Sequence, residues 1–209
     1  MNSPANPSII LLLIALYSFV SSAQEMVNEY YADGGLRAAG ALVNGAKEGT
    51  WKYYFPTGET NAIEHFSAGR LHGQVLYYYK SGLLEGMENW KDGALTDSAH
   101  YYHDNGKLHR KGLYRNSMYE GRWVYYYPDG ALDRRINYAM GSLNGNAQFF
   151  NRKGVLIQEG MYREGKEHGE WKFYDDDGKL TYSGSYESGE REGTWYQYDI
   201  KGKKKVWKY

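Results

Sequence analysis

Glycine returns every 24 residues without a miss: Gly34, Gly58, Gly82, Gly106, Gly130, Gly154, Gly178 and Gly202. A fixed period of this length, broken by no insertion, restricts the chain to a repeat architecture in which one small unit stacks on copies of itself. Other columns keep the same phase. Tyr30, Tyr54, Tyr78, Tyr102, Tyr126, Phe150, Tyr174 and Tyr198 are aromatic throughout. Tyr53, Tyr77, Tyr101, Tyr125, Phe149 and Phe173 fail only at Gln197, and the column from Leu36 to Leu180 fails only at Thr60. Phe66, Trp90, Tyr114, Tyr138, Tyr162 and Tyr186 form another, with Leu42 in the first copy. Cut after the glycine, the copies are 35–58, 59–82, 83–106, 107–130, 131–154, 155–178 and 179–202. A partial copy, 24–34, precedes them, and a C-terminal cap, 203–209, follows; end units lack one neighbour, so fragments there suit a capped array.

The sixth copy shows the unit. Trp171 and Phe173 are two apart and share one face of a strand, while Glu170 and Lys172 point the other way. A helix is excluded, because glycine recurs too often and the apolar spacing is two. Gly165 to Gly169 reads as the tight turn joining two strands, and Asp175 to Gly178 as the turn to the next unit, where Pro56 and Pro128 suit other copies. One hairpin is marginally stable in water, so copies must pair side by side. The expected fold is therefore all-β: tandem 24-residue hairpins forming one elongated antiparallel sheet of fourteen or so strands. Such a sheet is twisted and curled, with one aromatic face packed inward. Two copies depart from the pattern: the third has Asp97 and Ala99 where others have Gly and usually Trp, and the fourth has Ser117 where others have Gly. Asn116 is expected to take the left-handed conformation in place of that glycine.

The recurring phrase is G-x-Y-x-x-G-x-x-x-G-x-W-x-x-Y-x-x-x-G. Gly184 to Trp195 and Gly45 to Tyr54 fit it closely. This phrase resembles the MORN repeat, specifically the bacterial second-type unit, over all of 24–209. Chains with such units are often labelled YwqK-family antitoxin components, which implies a toxin partner in the cytoplasm. MORN arrays are also associated with membrane attachment, lipid headgroups and protein scaffolding.

Ile9 to Val20 is an apolar run too short to span a bilayer, and Ser21-Ser22-Ala23 offers small residues for cleavage. Residues 1–23 are thus expected to be a signal peptide. The mature chain is expected to be exported: periplasmic, outer-membrane-associated or secreted. The chain contains no cysteine, which rules out disulfides and thiolate chemistry. Its 25 Lys and Arg balance 25 Asp and Glu, so nucleic acid is not an expected partner.

No catalytic constellation emerges, so no enzyme, cofactor or metal site is expected. The many glycines belong to repeat turns and match no phosphate-binding fingerprint. Asp175-Asp176-Asp177 lacks the closing glutamate of a calcium loop. His100 and His103 are three apart, on opposite faces of a strand, and His72 and His168 lie in distant copies. Two features remain as binding candidates. Phe55, Tyr79 and Tyr127 form a broken aromatic column suited to sugar rings or a partner groove. Lys203, Lys204 and Lys205 form a basic tail that suits anionic lipid or an acidic partner, though lysine also guards exposed sheet edges. The expected function is a non-catalytic scaffold for a protein or cell-envelope component outside the cytoplasm. The alternatives are a carbohydrate- or lipid-binding envelope module and an antitoxin-like inhibitor.

Overall fold

The computed structural model describes residues 23–208; the expected signal peptide, save Ala23, lies outside them, as does Tyr209. The described residues form β1 (Gln24–Tyr30), β2 (Leu36–Val43), β3 (Ala46–Tyr54), β4 (Thr60–Ser67), β5 (Arg70–Leu71) and β6 (Gly73–Tyr78). There follow β7 (Leu84–Lys91), β8 (Ala94–Tyr102), β9 (Leu108–Arg115), β10 (Met118–Tyr126), β11 (Leu132–Ala139) and β12 (Ser142–Phe150). The array ends with β13 (Leu156–Arg163), β14 (Lys166–Tyr174), β15 (Leu180–Glu187), β16 (Glu190–Tyr198) and β17 (Lys204–Trp207). Each strand pairs antiparallel with its sequence neighbours, β5 and β6 sharing one side of β4. Substantial packing runs only between such neighbours, so among the described residues no second layer covers either face. The fold is a single open antiparallel sheet of 17 strands. The excess over fourteen is β1, β17 and one strand broken into β5 and β6 at His72.

Two turns alternate along the chain. The turn that closes each unit contains the 24-residue glycine. Gly178 donates its N–H to the carbonyl of Asp175, and Asp175 N–H to that of Lys179. This is a three-residue hairpin loop ending in a bulged residue with positive φ, which glycine adopts without steric cost. All eight column glycines have φ between 76° (Gly202) and 96° (Gly58), so the invariance has a backbone cause. The turn inside each unit is shorter than expected. Glu164 and Gly165 alone make it, at φ 50° and 83°, the two-residue form whose twist matches that of the strands. Gly169 lies within β14 at φ 71°, where β13 and β14 shift register by a bulge. Of the stretch 165–169, therefore, only Gly165 belongs to the turn, and the rest is the start of a strand and its bulge. Asp97 takes that bulge position at φ 59°, and both Asn116 and Ser117 are left-handed.

The bulge folds a tryptophan flat over the preceding strand. Trp51, Trp123, Trp171 and Trp195 are essentially fully buried. Each lies over a glycine eleven residues earlier, namely Gly40, Gly112, Gly160 and Gly184, where an added Cβ would come within 2.1–2.3 Å of the indole. The indole N–H donates to a carbonyl ten residues back, from 3.0 Å at Trp51 to 3.2 Å at Trp195. Tyr53, Phe66, Tyr162 and Phe173 pack around these rings. A tryptophan can thus be buried in a single layer because its own sheet's backbone forms the floor.

Candidate functional site

The neighbouring aromatic columns part company. Tyr53 and Phe173 join the tryptophan face, but the next residue in the chain points the other way. Tyr174 donates its hydroxyl to Glu159 Oε1 at 2.7 Å, and Tyr198 bonds the Ser183 hydroxyl at 3.0 Å. Both partners belong to a row that crosses the sheet strand by strand on the second face. Pairing register connects Lys52, Ile63, Leu76, Met87 and His100 in its first half, and Arg135, Gln148, Glu159, Lys172 and Ser183 in its second. The row is apolar over β4–β7 and polar over β11–β15. Aromatics therefore serve both faces.

The candidate aromatic column lies at the start of each closing turn, half buried. Tyr79 donates its hydroxyl to the Tyr102 carbonyl at 2.7 Å, and Tyr127 to that of Phe150 at 2.9 Å. His103 makes the same bridge to Tyr126, and Tyr31 to Tyr54. Phe55 has no such donor. These side chains tie one turn to the next copy's strand; Arg152 lies over Tyr127. Further along, Asp175 Oδ1 accepts from Asp177 N and Lys179 N, so the acidic turn's first carboxylate caps its own loop. The opposite edge is stitched as well: Gly69 N donates to Lys47 O, and Gly165 N to Leu143 O, each 22 residues back. His72 faces Asp92 at 3.5 Å and His168 faces Glu187 at 3.1 Å, both across to the next unit. Lys203, Lys204 and Lys205 are exposed on or beside the last strand, and Lys204 Nζ lies over Tyr196.

Two clusters escape sequence reasoning. The first is Glu88, which occupies in the third copy the position of the glycine beneath tryptophan. Although buried, it accepts three hydrogen bonds: from Tyr101 OH at 2.6 Å, Trp90 Nε1 at 3.0 Å and Tyr77 OH at 3.1 Å. Burial, then the adjacent carboxylate, pushes both tyrosine hydroxyls well above their usual range. Each donor is satisfied, so the cluster is a polar core replacing Trp and Gly. The signal for it was Ala99 in the tryptophan column.

The second is a groove of about 470 Å³ on the second face over β10–β14, floored by Ala147 and Gly160. Arg122, Arg135, Lys172, Glu159 and Glu170 bring its charges, and Asn137, Asn146 and Gln148 its amides. Lys172 pairs with Glu170 at 3.5 Å, and Gln148 donates to Glu159 at 3.4 Å. The sequence hides this groove because its residues come from three copies and differ in type where they share a repeat position, as Arg122, Asn146 and Glu170 do.

The family model for the MORN repeat variant matches residues 47–68, 101–116, 119–140 and 167–188. No protein of curated function matches the chain. Among solved structures, the GtfA/B complex bound to UDP and GlcNAc is 15% identical over 75% of this chain and 27% of its own, with a TM-score of 0.22. TcdB2-TccC3 is 15% identical over 85% of this chain and 14% of its own, at a TM-score of 0.19. The Photorhabdus luminescens Tc holotoxin pore is 14% identical over 84% and 13%, again at 0.19. The chain spans about a quarter or less of the length of these proteins. The hairpin repeat that the period and its paired turns lay out is the kind the family model finds, and the chain carries repeats of the MORN variant type at those four segments.

Proposed function

We propose that the chain is a non-catalytic interaction scaffold that works outside the cytoplasm and offers its second face to a protein partner. MORN repeats are in general protein- or membrane-interaction repeats. One observation favours this face. The tryptophan face and both turn edges are occupied by packing and by bonds between units, whereas the second face carries charged side chains that, among the described residues, pair with no carboxylate, Arg122 and Arg135 among them. Export rests on the apolar run before Gln24.

Crosslinking and mass spectrometry on the protein in its own cells, combined with fractionation, tests the reading. The expected result is a chain outside the cytoplasm, crosslinked to one protein through residues of β10–β14. A cytoplasmic chain captured with a toxin would overturn it in favour of an antitoxin-like inhibitor. Crosslinks confined to the tryptophan face would overturn the choice of face.

A further inference from the structure

The groove over β10–β14 points to a particular kind of ligand. Its two acids are engaged. Glu170 is paired with Lys172, and Glu159 accepts from both Tyr174 and Gln148. Its two arginines lack a counter-ion: among the described residues, neither Arg122 nor Arg135 pairs with a carboxylate, and Arg135 lies over the Phe150 ring, a contact that leaves its charge unneutralised. Both are exposed. Arg122 stands opposite Asn137, and Arg135 opposite Val124, so the two arginines are diagonal neighbours on adjacent strands. Diagonal neighbours lie about 7 Å apart at Cβ, a spacing that lets two guanidinium forks converge on one carboxylate.

The remaining lining narrows the class. No aromatic ring lines the groove, so it has no platform for stacking a sugar, and Met161 is its one large apolar side chain. Asn137 and Asn146 line it with amides that make no hydrogen bond among the described residues. An amide can bond a peptide's main chain in both directions. The groove crosses five strands, about 19 Å at the usual strand spacing, which is the length of about six extended residues.

We propose that this groove binds an extended acidic peptide segment, with one carboxylate held between Arg122 and Arg135. This rests on the scaffold reading and names the partner chemistry of the same face.

Fluorescence anisotropy with the full chain and a labelled Glu-Ser repeat hexapeptide, at low ionic strength, tests it. The wild-type chain is expected to bind this peptide at least tenfold more tightly than its Gln-Ser counterpart. The double variant Arg122→Gln/Arg135→Gln is expected to lose at least tenfold in affinity with unchanged melting. Lys153→Gln/Lys179→Gln, which removes two exposed charges outside the groove, is expected to bind as wild type. Equal binding of both peptides, or equal loss in both double variants, overturns the proposal. So does tighter binding through the two arginines of a galacturonate hexamer or of phosphatidylglycerol vesicles. Crosslinking in cells separates the two levels. If the Arg122→Gln/Arg135→Gln variant keeps the protein partner of the wild type, the groove assignment fails and the scaffold stands. If the wild type captures no protein, the scaffold reading itself fails.

Discussion

In the column that begins at Trp51, tryptophan appears only where glycine lies eleven residues before it. Four copies carry the pairs Gly40/Trp51, Gly112/Trp123, Gly160/Trp171 and Gly184/Trp195, and the other three carry Glu64/Val75, Glu88/Ala99 and Ile136/Ala147. Each pair sums to a similar filling of one slot: a flat ring over bare backbone, or a larger side chain facing a smaller one. Gly160→Ala puts a methyl 2.1 Å from the Trp171 ring, and is expected to destabilise by about 1–3 kcal/mol in urea unfolding. Trp171→Ala is expected to lose about 3–5 kcal/mol. The double variant should lose less than the sum, since the clash vanishes with the ring; strict additivity would refute the shared slot. Glu88→Ala orphans donors on Tyr77, Trp90 and Tyr101, so a loss of about 3 kcal/mol is expected. Glu88→Gln, which keeps an acceptor, should lose less. Both columns stand in the sequence, but their coupling does not. It depends on the bulge that lays the ring across the neighbouring strand, and a bulge leaves only a glycine as its trace.

At the scale of the hairpin, positive φ explains most of the glycines, yet the sequence could not sort those glycines by role. Gly165, Gly169 and Gly178 all sit in the left-handed half of backbone space, one in a two-residue turn, one in a bulge and one in a loop. Their spacing alone made 165–169 look like a single turn. The period, strand type and pairing order were legible because aromatic alternation and the glycine column both obey them. The groove was not, because binding side chains differ between copies where the columns agree. The turn geometry also marks positions where the present residue is strained. Met140 holds φ 48° while 77% exposed. A non-glycine residue pays about 1 kcal/mol there, which asparagine partly avoids. Met140→Asn is expected to raise the melting temperature by a few degrees, checked by circular dichroism. A decrease would show that the Met140 side chain contributes more than its backbone costs.

Across the whole molecule, tyrosine sets the response to alkali. Burial raises the hydroxyls of Tyr53, Tyr77, Tyr101, Tyr125 and Tyr174, and pushes Tyr114 up to about 12. Above pH 10 the unfolded chain gives up these protons while the folded chain keeps them, so unfolding becomes easier as pH rises. Stability is complete below pH 10 and is lost progressively above it. Tyrosinate absorbance at 295 nm is expected to rise in two phases, the later one coinciding with loss of the β-sheet dichroism. One smooth titration near pH 10 with the sheet intact would contradict the burial. A sheet whose substantial packing runs between neighbouring strands also has no keystone. Stretched between its ends, it should come apart one link at a time rather than all at once. Each 24-residue link released adds about 70 Å of contour, the length of the extended segment less its folded height. A pulling experiment should trace a sawtooth of near-equal teeth, the behaviour of a tether that yields under load and can be wound back.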